Sequence, residues 1–303
     1  MSLVFAAILP HGPGVIAELA EDPGLMAATR IAMEEAGRRF AAARVDTVIL
    51  LDPQTVHTLQ GVAIEETRLG RPTLFPHMEE GAFAVGTAAD AAGTLGGAHG
   101  RSVTDRYACD LALAETILNA GRRDFPVVPA AGKEGELALY GGALIPLWFT
   151  LRPLPAPRPG LVVIYPSPAL PGDLLLRFGG LLADVAASSG RRVALIASAD
   201  QGHTHDRNHP RFGFSPAAAE HDALYCQAVA ESRLDRLLEI SDDLLRESWA
   251  DSLWQTLILA GALRAVPMAV ELLSYAVPTY FGMAVAVYEP PPAAGTNARL
   301  QSG

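Results

Sequence analysis

The sequence predicts an α/β fold: a single compact domain in which helices flank a central sheet of mostly parallel or mixed strands. Short apolar runs rich in β-branched residues lie at residues 3–9, 47–51, 161–165 and 193–198. Longer stretches with helical periodicity separate them, as at residues 25–43 and 174–187. This alternation is typical of helices layered on a largely buried sheet. With 303 residues, 50% of them hydrophobic, the chain is near the upper size of one domain.

The same patterns predict the remaining elements. Periodicity indicates helices over residues 106–120, 216–230 and 242–263, and short apolar runs indicate strands over residues 125–131, 270–275 and 282–287. We expect residues 1–289 to form the one domain. The tail, residues 290–303, is rich in Pro, Ala and Gly, and we expect it to be disordered.

Composition excludes several classes of function. The net charge is −10 and the chain has no basic cluster, which argues against a nucleic-acid partner. The apolar runs are short and interrupted, so we expect no signal peptide or membrane span and a cytoplasmic protein. Cys109 and Cys226 are the two cysteines, which gives neither a disulfide framework nor a zinc pattern. Any metal site must therefore use histidine and carboxylate ligands.

Three of the eight histidines follow predicted strands. His11 comes after the run at residues 3–9, His57 after the run at residues 47–51, and His203 after the run at residues 193–198. Ligands of open α/β sheets bind beyond the carboxyl ends of the strands, so these three side chains can converge on one crevice. Each histidine taken alone is equally compatible with a turn histidine bonded to the backbone. The combination is what indicates a site.

Two imidazoles and one carboxylate on one side of an octahedron leave positions open for substrate and O2 on Fe(II). His11 and His57 are the candidate imidazoles. The predicted helix over residues 242–263 offers Glu247 and Asp251, four residues apart and therefore on one helical face. The residues alone leave another interpretation open, in which Glu247 pairs with a surface arginine and Asp251 is solvated.

Residues 199–206 form the densest cluster of titratable groups in the chain and contain His203. A histidine that does not bind the metal can take a proton from a substrate hydroxyl and return one later. A hydrolase motif of the His-x-His-x-Asp type is a competing interpretation. Here Asp206 follows His205 directly, one residue short of that spacing.

Four segments carry a family resemblance. The start, Phe5-Ala-Ala-Ile-Leu-Pro-His11, resembles the opening strand of class III, LigB-type extradiol dioxygenases and their Memo-like relatives, which ends in Pro-His or Ser-His. Residues 46–57 resemble the second strand and its loop, and Ser198-Ala-Asp-Gln-Gly-His203 resembles the segment that presents the catalytic histidine. Residues 270–286 are similar to the closing hairpin, preceded by a helix that ends in Ala-Gly-Ala-Leu.

The resemblance implies a LigB-like domain with non-haem Fe(II) bound by His11, His57 and Asp251, and with His203 as the acid/base catalyst. Asp251 is chosen by its position before Ala-Gly-Ala-Leu, and Glu247 is the second candidate for the acid. This sequence departs from the common family pattern at two points. The acid is Asp where most members have Glu, and Gln54 stands where many members have the second histidine, three residues before His57.

The implied reaction is the extradiol opening of a catechol-type or aminophenol-type ring, with both atoms of O2 entering the product. Tyr275 and Arg207 are candidate substrate contacts. The family's habit implies a homodimer or pairing with a second subunit.

Two other functions stay open at this point. One is a Memo-like metal-binding protein or non-catalytic subunit, which the departures at Gln54 and Asp251 keep open. The other is a zinc metallohydrolase on the same ligands, with His203 as base. Metal content and O2 uptake distinguish these functions from an iron dioxygenase.

Overall fold

Eight strands form the main sheet in a computed structural model that describes residues 2–53, 65–66, 72–73, 81–130 and 135–291. The strands among these residues are β1 (Leu3–Leu9), β2 (Thr47–Leu51), β3 (Glu65–Glu66), β4 (Pro72–Thr73), β5 (Phe83–Gly86), β6 (Asp90–Gly96), β7 (Ser102–Ala108), β8 (Val127–Ala130), β9 (Glu136–Ala138), β10 (Gly160–Pro166), β11 (Val193–Ser198), β12 (Ala269–Ala276) and β13 (Met283–Glu289). The helices are α1 (Ala27–Ala42), α2 (Leu111–Gly121), α3 (Gly141–Thr150), α4 (Gly172–Ser188), α5 (Pro216–Ala230), α6 (Asp242–Ser248) and α7 (Leu253–Ala265).

The main sheet is mixed, with the order β12-β13-β1-β11-β2-β10-β5-β8. Its four central strands, β1, β11, β2 and β10, are parallel to one another. On one side β13 pairs antiparallel with β1, and on the other β5 pairs antiparallel with β10. The strands expected to carry His11, His57 and His203 are therefore neighbours, and their carboxyl ends lie at one edge.

Helices cover both faces of this sheet, as the continuous apolar runs predict. Side chains alternate along each strand, so Ile8 packs with α2, α4, α5 and α7 in one core, while Leu9 packs with α1 and α3 in the other. The predicted α/β class and single compact domain are confirmed. A smaller sheet of β7, β6 and β9 and the pair β3–β4 complete the described strands. No helix in the described part of the chain is long and apolar enough to cross a membrane.

One predicted helix, over residues 106–120, is wrong in its first part. Residues Ser102–Ala108 form strand β7, where exposed residues alternate with more buried ones such as Tyr107. The helix begins only after Asp110, whose carboxylate accepts a hydrogen bond from the Leu113 amide at 3.1 Å. The alternation of exposed and more buried residues in β7 and the N-cap at Asp110 fix the boundary between strand and helix.

The predicted helix over residues 242–263 is also wrong, because it is two helices. Helix α6 ends at Ser248, the next residue Trp249 adopts a left-handed conformation with φ of 54°, and α7 begins at Leu253. Asp251 lies between the two helices. The inference that Glu247 and Asp251 share one helical face therefore fails. Residues 292–303 of the expected disordered tail lie outside the described residues.

Helices α4 and α7 pack through glycines. A Cβ atom built on Gly179 would overlap the carbonyl oxygen of Ile258, and one on Gly261 would overlap that of Leu176. The two backbones are therefore as close as glycine allows. Gly180 is the next residue of α4 and has nothing within 4 Å of its Cβ position.

We predict opposite effects of alanine at these neighbouring positions. Gly179→Ala must push α4 from α7 and should lower the free energy of unfolding by about 1–3 kcal/mol. Gly180→Ala should raise it by about 0.5–1 kcal/mol, because alanine is the better helix former and meets no obstacle. Urea unfolding midpoints measure the stability of both variants relative to the unchanged protein. Equal stability of the two variants would contradict the close packing.

Candidate functional site

Polar side chains collect at the edge where the central parallel strands end. His11 follows β1 by two residues, Asp52 directly follows β2, and Asp200 and His203 follow β11. Asp52, Asp200 and His203 are at most 3% exposed. His11 and His203 therefore follow neighbouring parallel strands at the same edge of the sheet. The expected ligand His57 lies outside the described residues.

Asp251 reaches this edge from the opposite side, in the link between α6 and α7. Its backbone amide donates to the carbonyl of Asp200 at 3.2 Å, and its carboxylate Oδ1 accepts from the Asp200 amide at 3.1 Å. One helical turn further on, Gln255 donates from Nε2 to the carbonyl of Ser198 at 2.6 Å. The start of α7 is therefore fixed to the end of β11, and the Asp251 carboxylate is fully buried.

His11 is in contact with both carboxylates. Its amide donates to Asp200 Oδ1 at 2.9 Å, and its Nδ1 lies 3.0 Å from Ser198 Oγ. Its Nε2 lies 3.3 Å from Asp251 Oδ2 and 3.4 Å from Asp200 Oδ2. The His11 side chain is 12% exposed, so this is the point at which the cluster reaches solvent.

The charged groups of this cluster shift one another's pKa values. Burial by itself lowers the pKa of His11, but the carboxylates of Asp200 and Asp251 outweigh it and raise that pKa to about 10. Burial, joined by the charge of Asp251, raises the pKa of Asp200 to about 7 against the attraction of His11. With every carboxylate ionised, the cluster holds more negative than positive charge. Such a site favours a bound cation.

The donor atoms of His11 and Asp251 suit a metal. Ligands at adjacent corners of an octahedron with bonds of about 2.1 Å stand about 3 Å apart, close to the 3.3 Å between His11 Nε2 and Asp251 Oδ2. Imidazole and carboxylate are also ligands that borderline divalent metals accept. Among the described residues, however, no group of three or more His, Cys, Asp or Glu side chains could hold a metal ion. His11 and Asp251 therefore fit as two ligands, and a complete set needs a further donor.

His203 lies in an aromatic setting beside this cluster. Its ring stacks on Phe281, with centroids 5.3 Å apart and planes at 14°. Phe212 and Tyr280 flank it at centroid distances of 5.5 and 5.9 Å and stack on each other. Phe281 also fills the space beside Gly12, where an added Cβ would be 2.5 Å from its Cζ. The Phe281 ring thus contacts both His203 and the loop that contains His11.

The charges of the carboxylates also act on Tyr280. Burial, together with the charges of Asp200 and Asp251, raises the pKa of Tyr280 to about 12, so its hydroxyl stays protonated at neutral pH. A protonated hydroxyl near an anionic cluster can donate a hydrogen bond to a bound oxygen atom.

The other predicted residues lie elsewhere. Glu247 is exposed on α6, whereas Asp251 is the acid beside His11. The Tyr275 hydroxyl donates to Asp222 Oδ2 at 2.6 Å and is not brought to His11. Arg207 is exposed, with its guanidinium 4.9 Å from the ring centroid of Phe214.

Sequence reasoning gave no role to Asp200, Ser198 or Gln255. The signal for Asp200 was available, because it is a polar residue two positions beyond a largely buried strand, as His11 is. Gln255 offered no such signal, because it lies inside a helix and reaches the site only through the turn that precedes it.

The chain was compared with known proteins. A solved structure, described as uncharacterized protein JW3007 from Escherichia coli K12, has the same fold with a TM-score of 0.56 and 14% sequence identity. The similarity covers 94% of this chain and 99% of that one. No curated protein matches the sequence. Residues 5–288 match the family described as the catalytic LigB subunit of aromatic ring-opening dioxygenase. Because this match spans nearly the whole chain, with the polar cluster at the sheet edge inside it, the chain belongs to the LigB family.

Proposed function

We propose that this protein is an extradiol dioxygenase that uses Fe(II) and O2 to open the ring of a catechol-type or aminophenol-type substrate. The observation that carries the proposal is the contact of His11 Nε2 with the buried Asp251 carboxylate, at 3.3 Å, where the parallel strands end. In a member of a ring-opening family, this pair is suited to two of the metal ligands. His57 is our candidate for the third.

The neighbours of His11 hold it in a ligand's orientation. His11 Nδ1 contacts Ser198 Oγ, and the His11 backbone amide donates to Asp200. The imidazole therefore presents Nε2 to Asp251. Partners behind a ligand fix its ring and its tautomer in this way. One main-chain hydrogen bond joins Asp251 to Asp200, and a second, from the Asp200 amide, holds the Asp251 carboxylate in place before anything binds.

His11 and Asp251 would hold Fe(II) together with a further donor, and the metal would supply the redox chemistry of ring opening. His203 would take a proton from a substrate hydroxyl and return one to the opened product. The aromatic side chains around His203, which is 3% exposed, limit the access of water. Tyr280 would donate a hydrogen bond from its protonated hydroxyl to a substrate oxygen.

We predict that His11→Ala and Asp251→Asn each weaken Fe(II) binding by about 100-fold or more, because removal of a ligand costs at least as much as removal of a partner behind it. Anaerobic calorimetry with Fe(II) measures the affinity, and an oxygen electrode with a catechol panel measures turnover. Glu247→Gln is the matched acid variant and should bind Fe(II) as the unchanged protein does.

Each outcome of this experiment separates the candidate functions. Loss of Fe(II) binding in Glu247→Gln but not in Asp251→Asn would show that Glu247 is the acid ligand and that the assignment of Asp251 is wrong. Metal binding without O2 uptake on any catechol would overturn the dioxygenase in favour of a Memo-like or non-catalytic protein. Hydrolytic activity with Zn2+ and no O2 uptake would favour a metallohydrolase.

We predict that His203→Gln lowers kcat by about 10²–10⁴-fold and leaves Fe(II) affinity unchanged, because glutamine keeps a polar side chain but cannot transfer the proton. Single-turnover O2 consumption measures the reaction rate, and anaerobic calorimetry measures the Fe(II) affinity. A His203→Gln protein that loses its metal would show that His203 is a ligand instead.

A further inference from the structure

Asp222 on α5 is a buried carboxylate with four hydrogen-bond partners, and the metal cluster does not use it. Oδ1 accepts from the Gly202 amide at 2.7 Å and contacts His221 Nδ1 at 2.9 Å. Oδ2 contacts His205 Nε2 at 2.9 Å and accepts from the Tyr275 hydroxyl at 2.6 Å. Because an ionised carboxylate only accepts hydrogen bonds, each histidine presents N–H to it. The Asp222 side chain is thus satisfied within the protein at 1% exposure.

Two of these four partners lie on either side of His203 in the sequence. Gly202 precedes it directly and His205 follows two positions later, so one carboxylate holds the main chain of Gly202 and the side chain of His205. The His203 amide itself donates to the Ser248 carbonyl at 2.7 Å. Gly202 has no room to move towards α5, since an added Cβ would be 2.7 Å from Ala218 Cα.

We propose that Asp222 is a positioning residue for His203, acting through Gly202 and His205 and without contact with the metal ligands. The inference rests on the proposed acid/base role of His203. A fully satisfied buried network is rigid, and a displacement of about 1 Å at a catalytic group can cost about 10²-fold in rate. Tyr275 belongs to this network: it supports Asp222 and does not bind substrate.

The same network predicts a pH-dependent stability that is independent of activity. Burial by itself raises the pKa of Asp222, but the bonds from His205, His221 and Tyr275 outweigh it and lower that pKa to about 2. The charge of Asp222 also acts on Cys226, one turn along α5, where burial and this charge raise the pKa of the thiol. A carboxyl group with a lowered pKa stabilises the fold above its unfolded pKa of about 3.9, and this stabilisation is lost as the pH falls through about 2. The difference in urea midpoint between the unchanged protein and Asp222→Asn should therefore be full at pH 6 and shrink below pH 4.

The decisive experiment compares Asp222→Asn with Ser215→Ala in the full-length Fe(II) protein. Ser215 caps the same helix, accepting from the Ala217 amide at 3.2 Å, so its loss weakens α5 without touching the carboxylate. We expect Asp222→Asn to lower kcat by about 10–100-fold, with KM and Fe(II) affinity within about 2-fold. Ser215→Ala should change none of the three. Tyr275→Phe should lower kcat mildly and leave KM unchanged, whereas a substrate-binding Tyr275 would raise KM.

A second measurement keeps the proposal testable if no catechol is turned over. The imidazole signals of His203 in 15N-edited NMR spectra of the metal-free protein should move in Asp222→Asn, and its titration midpoint should shift, while Ser215→Ala reproduces the spectrum of the unchanged protein. Unchanged His203 signals in a folded Asp222→Asn protein would overturn the positioning role. Absence of O2 uptake together with shifted His203 signals would instead overturn the proposed dioxygenase and leave the positioning role standing.

Discussion

The site depends on one constraint, which is that two buried carboxylates are held beside a single imidazole. Asp200 and Asp251 repel each other in a medium that screens charge poorly. The two hydrogen bonds that join them, one between main chains and one from an amide to a carboxylate, oppose this repulsion. His11 lies against both side chains and provides the nearest compensating charge. With both carboxylates ionised, negative charge exceeds positive charge in the cluster, and this favours a bound cation.

The sheet provides what this constraint needs. The parallel neighbours β1, β11 and β2 bring three strand ends to one edge of the sheet. Helix α7, which packs against α4 through glycines, brings the turn that contains Asp251 over that edge. The strands are buried on both faces and cannot shift without exposing one of the two cores. Residues far apart in the sequence are therefore placed with little freedom, as a preorganised site requires.

The central strands were predictable because buried β-branched runs between turns leave few alternatives: Leu3–Leu9, Thr47–Leu51 and Val193–Ser198 lie where the sequence predicts them. The position of Asp251 was reached through the family resemblance, while the reasoning from helical periodicity failed. The break at Trp249 explains why, because a left-handed tryptophan is rare and has no sequence signal. Long-range bonds such as that of Gln255 to Ser198 were likewise invisible, since they depend on packing that no local pattern encodes.

Many of the bonds that shape the site are made by the main chain. The amides of Asp251, His203, His205 and Gln201 donate to the carbonyls of Asp200, Ser248, Tyr280 and Gly282 respectively. Any residue other than proline can supply such an amide, so these four bonds do not depend on the side chains that their donors carry. The sequence surrounding the edge can thus diverge widely while the scaffold persists. Such freedom lets an ancestral pocket acquire new specificities through replacements in its walls, without redesign of its frame.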